Sequence, residues 1–195
     1  MVNIFLNFIG AIVALIWVLS RGDFWAIIEF VILCLAGTFL CQVAMIPGFA
    51  ISALSGVAIL KGNKIIKGLC APGVVFGSIW NFGALGTWVL GCFYIFYEHA
   101  ISNYPDASII PYLILAFNTA NLPSCDMARS NEDISYIAAG VLMMLTLVML
   151  VFLCFDISLK NAATYFSISI LIVGLIFGIV SVIGMTEKSE SILYD

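Results

Sequence analysis

Residues 47–68 read PGFAISALSGVAILKGNKIIKG and lie between two of the most apolar stretches of the chain. The segment opens on Pro47-Gly48, carries small residues at Ser52, Ser55 and Gly56, and ends in a cluster of lysines at Lys61, Lys64 and Lys67. An unbroken helix over residues 24–60 would hold 37 residues and run about 55 Å, nearly twice the ~30 Å hydrocarbon core of a bilayer. Proline removes a helix hydrogen bond and glycine loosens the backbone, so the sequence predicts a second helix broken near Pro47-Gly48. Its second half is then a tilted extension or a short re-entrant or interfacial helix.

The rest of the chain sets this break in a membrane. Of 195 residues, 64% are hydrophobic and 9% charged, against roughly 25% charged in soluble domains. Lipid leaves backbone groups unsatisfied unless the segment is helical or part of a closed barrel, and no apolar run here alternates as barrel strands do. The expected fold is therefore an all-α integral membrane protein, six transmembrane helices in a compact bundle. They cover approximately Val2 to Leu19, Phe24 to Ile46 with a continuation to Leu60, Leu69 to Tyr97, Ala107 to Leu122, Ile134 to Phe155 and Ala162 to Met185. Residues 1–185 form a single transmembrane domain and 186–195 a short polar tail. The first twenty residues lack a basic start and a small-residue cleavage site, and read as a retained helix.

Short-loop lysines and arginines give the orientation. With the N-terminus inside, Lys61, Lys64, Lys67, Arg129 and Lys188 fall on the inner side, and Arg21 and Lys160 on the outer. Both termini are expected in the cytoplasm, with the lysine cluster a topology determinant able to meet anionic headgroups. The net charge of −4 gives no basic surface for nucleic acid. The six cysteines show no CxxC spacing, so neither a zinc site nor a disulfide framework is indicated. No Walker loop, GxGxxG or HExxH is present, and no nucleophile, base and orienter assemble; neither enzyme activity nor a cofactor is expected.

Two spans carry polar groups that lipid would not tolerate. The fourth, SIIPYLILAFNTANLPSCD, is bracketed by Pro111 and Pro123 and holds Asn118, Thr119 and Asn121. These face either a solute path or a neighbouring helix, since amides and hydroxyls also join helices. The third, LCAPGVVFGSIWNFGALGTWVLGCFYIFYEH, sets Gly73 and Gly77 at GxxxG spacing, then Gly83, Gly86 and Gly91. Close helix packing is one consequence; a narrow path past Ser78, Trp80 and Asn81 is the other. Glu29, about one turn inside the second helix, serves a proton-coupled transporter or sits near the headgroups beside Arg21. His99, the one histidine, is a surface residue or a pH sensor.

The segment PGFAISALSGVAILKGNKIIKGLCAPGVVFGSIW resembles the signature of the acetate uptake transporter family, at Gly48, Gly56, Lys61, Gly62, Asn63, Gly68, Gly77 and Trp80. VGLIFG at 173–178 is similar to that family's sixth helix, while its Asn-Pro-Ala-Pro-Leu-Gly-Leu lead into helix one is missing. NFGALGTWVLGCFYIFYEHAISNYPD, with Tyr112 and LAFNT at 115–119, resembles the acid-activated urea and amide channel family in Gly91, Tyr94, Asp106 and Asn118-Thr119, as does FIGA at 8–11. Both resemblances imply six-helix protomers in hexameric rings with a pore through each. They imply passage of a small polar solute, a short-chain monocarboxylate such as acetate or else urea or an amide. On this view Ser78, Asn81, Asn118 and Thr119 line the path, Trp80 and Phe82 constrict it, and Lys61, Gly62 and Asn63 form a turn capping helix two. A non-transporting accessory subunit of a larger complex is the alternative.

Overall fold

A computed structural model describes the backbone of residues 2–127, 133–155 and 157–194 and, within these, the side chains of 9–37, 39–127, 135–155 and 157–189. Arg129, one of the residues used to orient the chain, lies outside them. The described residues form helices and no strands: α1 (Val2–Ser20), α2 (Phe24–Lys61), α3 (Lys64–Asn103), α4 (Ile110–Ala120), α5 (Leu122–Met127), α6 (Asp133–Cys154) and α7 (Leu159–Tyr194). Of these α2, α3, α6 and α7 are long and apolar enough to cross a bilayer, the feature that marks a membrane-spanning protein. Their exposed side chains are large and apolar, with Leu35 at 77% and Phe39 at 66% exposure, as suits a lipid-facing surface.

The structure corrects the expected break in the second helix: α2 runs without interruption through Pro47 for 38 residues. Proline takes away the N–H that would bond the Val43 carbonyl and crowds the preceding turn. The next carbonyl, Ala44 O, accepts Trp80 Nε1–H at 2.9 Å, so an indole from α3 supplies a donor where the proline disturbs the ladder. Trp80→Phe keeps the ring and removes that donor, and is expected to cost about 1 kcal/mol, read as a lowered midpoint of thermal unfolding in detergent.

The expected fourth span also differs. α4 has 11 residues, about 17 Å of rise, too short to cross alone. Pro123 is the cause: it offers no N–H to the Thr119 carbonyl, and the chain turns at Asn121 before continuing as α5. α3 and α7 start earlier than read from hydropathy because polar residues cap them. Asn63 Oδ1 accepts Ile66 N–H at 3.1 Å, and Ser158 Oγ accepts Asn161 N–H at 3.4 Å. Within the Lys61-Gly62-Asn63 turn, Asn63 thus caps the start of α3, and Lys61 is the basic residue in the last turn of α2. The residues expected as a tail continue α7 to Tyr194.

The chain groups into two compact units, residues 1–41 with 86–166 and residues 42–85 with 167–195. In the first, α4 packs against α1 and α6, and α5 against α6. Leu113, Leu115, Ala116 and Ala120 of α4 are fully buried there, with Val89, Phe93 and Phe96 of α3. Trp88 of α3 lies over Gly37 of α2, where any side chain would collide with the indole.

In the second unit small residues bring helices into backbone contact. A Cβ on Gly77 of α3 would stand 2.5 Å from Gly48 O of α2 and clash with the Ser52 side chain, and one on Gly73 would strike Ser55. Along α7, a Cβ on Gly178 would come 2.7 Å from Val75 Cα and one on Gly174 would come 3.0 Å from Ile79 Cα. This is the close approach that glycine and serine permit between membrane helices.

Candidate functional site

The turn between α1 and α2 places a buried carboxylate, Asp23, in the first unit. Gly22, at φ 75°, closes α1 as its left-handed cap: Gly22 N–H bonds Leu19 O at 2.9 Å and Asp23 N–H bonds Val18 O at 3.2 Å. Asp23 then begins α2, with Oδ1 accepting Ala26 N–H at 3.2 Å. One residue therefore ends one helix and starts the next, and its second oxygen stays available.

That oxygen, Asp23 Oδ2, sits 2.8 Å from His99 Nε2 and accepts Tyr112 OH at 2.9 Å. The other ring nitrogen, His99 Nδ1, lies 3.1 Å from Glu29 Oε1. Asp23 is 2% exposed and the His99 side chain 8%. An imidazole with a carboxylate oxygen at each nitrogen needs hydrogen on both, which makes it the imidazolium cation, or else one carboxyl must carry the proton. The cluster ties the start of α2, the end of α3 and the start of α4 together.

Aromatic rings enclose it. Tyr104 and Tyr112 stack at 6.2 Å between centroids, the His99 ring lies 5.8 Å from Tyr112, and Trp17 meets Tyr112 edge-on at 6.1 Å. The Arg21 guanidinium covers the Trp17 ring at 4.8 Å. Beside the cluster a cavity of about 370 Å³ is walled by Asp23, Trp25, Glu29, His99, Asn103 and Tyr104. The arrangement can hold a proton, or receive a hydrogen-bond donor or small cation against two carboxylates.

Glu29 and His99, weighed singly in the sequence, thus meet across 70 residues. Asp23, Tyr104 and Tyr112 were not assigned to a site there. The Gly-Asp pair ahead of an apolar run is a legible cap signal for Asp23, whereas nothing local announces its pairing with His99.

The residues expected to line a path are divided between the two compact units. Ser78, Trp80, Asn81 and Phe82 belong to the second unit and Asn118 and Thr119 to the first. Ser78 faces α7 at Gly178, Phe82 is 6% exposed and packs on Phe177 at 5.1 Å, and Asn81 Oδ1 is buried over Gly48 with no hydrogen bond. Asn118 Nδ2 bonds Ile114 O at 2.7 Å and Thr119 Oγ1 bonds Leu115 O at 2.9 Å, each within its own helix. Asn118 faces Gly10 of α1.

The described residues form an all-helical chain with four helices long and apolar enough to span a membrane and an imidazole–dicarboxylate cluster joining helix ends. No protein-family model matches the chain, and neither a curated protein nor a solved structure shows significant similarity to it.

Proposed function

We propose that this protein is a membrane channel or transporter for a small polar solute, and that the cavity beside His99 receives the solute or its coupled proton. The observation that carries the reading is the clasp of His99 by Asp23 and Glu29 at that cavity. Ionisable side chains drawn out of water in a membrane protein cost several kcal/mol and are found mainly on proton, ion and substrate paths. Two carboxylates on the wall repel an anion and attract a cation or a neutral donor. Of the solutes implied by resemblance, urea or another amide therefore suits this cavity better than acetate. Assembly as a hexameric ring belongs to the same proposal.

The test is flux into proteoliposomes of purified protein, with urea, methylammonium and acetate as separate probes. Urea or methylammonium should enter faster than into empty vesicles, and His99→Gln should slow that entry by tenfold or more while the folded yield is kept. Entry of none of the three above the empty-vesicle rate overturns transport.

One observation favours a different reading, an accessory subunit that anchors a complex: Gly48, Gly73, Gly77, Gly174 and Gly178 are all used for tight helix contact. Asn118→Leu separates the two. If Asn118 borders a solute path, flux should fall; if its amide only bonds Ile114 O, flux stays unchanged and stability moves by no more than about 1 kcal/mol.

A further inference from the structure

We infer that α3 and α7 hold an anionic phospholipid, one acyl chain lying in a groove between them and the phosphate meeting the lysines at the groove's end. The groove belongs to the second unit, is distinct from the His99 cavity and does not depend on the transport reading. Its volume is about 620 Å³, within the ~300–1,000 Å³ of ligand pockets generally. Gly68, Pro72, Val75 and Phe76 form one wall and Ile179 and Ile183 the other.

Helix packing explains why it is there. At Gly174 and Gly178 the backbones of α7 and α3 are nearly in contact. Toward the other end of the same pair, a Cβ on Gly68 or Gly184 would meet nothing within 4 Å. The two helices therefore touch at one end and leave room at the other. Phe76 is 52% exposed, Ile179 46% and Ile183 52%, so the apolar walls are open to whatever fills them.

Charge identifies the occupant. Gly68, Pro72, Val75, Phe76 and Ile79 fall on one stripe of α3, and Lys64 continues it at four residues before Gly68. Lys67 stands four residues before Ala71, another residue of the wall. Gly174 beside Ile79 and Gly178 beside Val75 set an antiparallel register that brings Glu187 and Lys188 level with this end of α3. The described charged side chains there are Lys61, Lys64, Lys67 and Lys188 against Glu187. An apolar slot that ends in net positive charge matches a lipid with an apolar chain and an anionic head, whereas an apolar helix from a second copy would bring no anion to Lys64 and Lys67. Basic residues at the end of an inter-helix pocket are the usual arrangement for such headgroups.

The experiment is lipid retention in nanodiscs of equal phosphatidylcholine and phosphatidylglycerol, followed by mild detergent extraction and mass spectrometry of the protein with its bound lipid. Wild-type protein should keep phosphatidylglycerol over phosphatidylcholine by tenfold or more. Lys64→Gln with Lys67→Gln should bring the ratio near one, since a lysine near an anionic surface is worth about a fivefold preference. Gly68→Leu, placed where a side chain has open space, should fill the groove and abolish retention of both lipids with the lysines intact. Equal retention of the two lipids by wild type overturns the inference. So does a wild-type protein that holds no lipid while the Ala71→Cys variant cross-links two copies, because the groove would then be filled by a second chain.

Discussion

Asp23→Ala is expected to destabilise the protein by about 3–5 kcal/mol, the cost of removing one partner from a buried charged pair. Three interactions end at this carboxylate. The first is the α2 cap through Ala26 N–H, worth about 1 kcal/mol. The second is the contact with His99 Nε2 at 2.8 Å, and the third is the hydrogen bond from Tyr112 OH at 2.9 Å. Tyr112 is fully buried, so its hydroxyl would lose its acceptor, at about 1–3 kcal/mol. Asp23→Asn keeps an oxygen for the cap and for Tyr112 and gives up the charge facing His99, and should cost less than half as much. Thermal unfolding in detergent reads both: for a chain of this size ~3 kcal/mol corresponds to a midpoint lowered by about 6–12 °C. A shift under 2 °C for Asp23→Ala would mean that the cluster does not hold the helix ends together.

What could be read from the sequence follows from which forces are local. The absence of alternation and the length of the apolar runs were enough for an all-helical, membrane-spanning chain, because the bilayer imposes that choice run by run. The break at Pro47 was misread because one support for the helix there comes from another helix, the Trp80 indole that reaches Ala44 O 36 residues earlier. The fourth span was overestimated for the opposite reason: Pro111 and Pro123 act locally and were visible, but the run from 107 to 122 was still read as one crossing. At the site, Glu29 and His99 stood out singly as ionisable groups near helix ends. Their union through Asp23 depends on α2 and α3 lying side by side in register, and no spacing in the chain encodes that. Gly48, Ser52, Gly73 and Gly77 were legible as small residues, while their pairing into one crossing was not.

That crossing supports the second large effect. Gly77→Ala should destabilise the protein by about 1–3 kcal/mol, the range for overpacking a tight contact, and Gly77→Leu by more. The obstacle is backbone: Gly48 O would be 2.5 Å from the new Cβ, and a main-chain carbonyl inside a helix cannot rotate aside as a side chain can. Gly91→Ala is the control, in the same helix but with nothing within 4 Å of the added carbon; it should be neutral or stabilising by up to about 1 kcal/mol, since alanine suits a helix interior better than glycine. Chemical unfolding of both variants in the same detergent gives the comparison. The contrast also bears on function. If Gly77→Ala is tolerated as well as Gly91→Ala, α2 and α3 stand further apart at Gly48 than described here, and the space between them becomes available to a solute. If Gly77→Ala is costly, the glycines of this pair serve helix contact, and any path for a solute must run elsewhere, the cavity beside His99 in the first unit being one polar opening open to it.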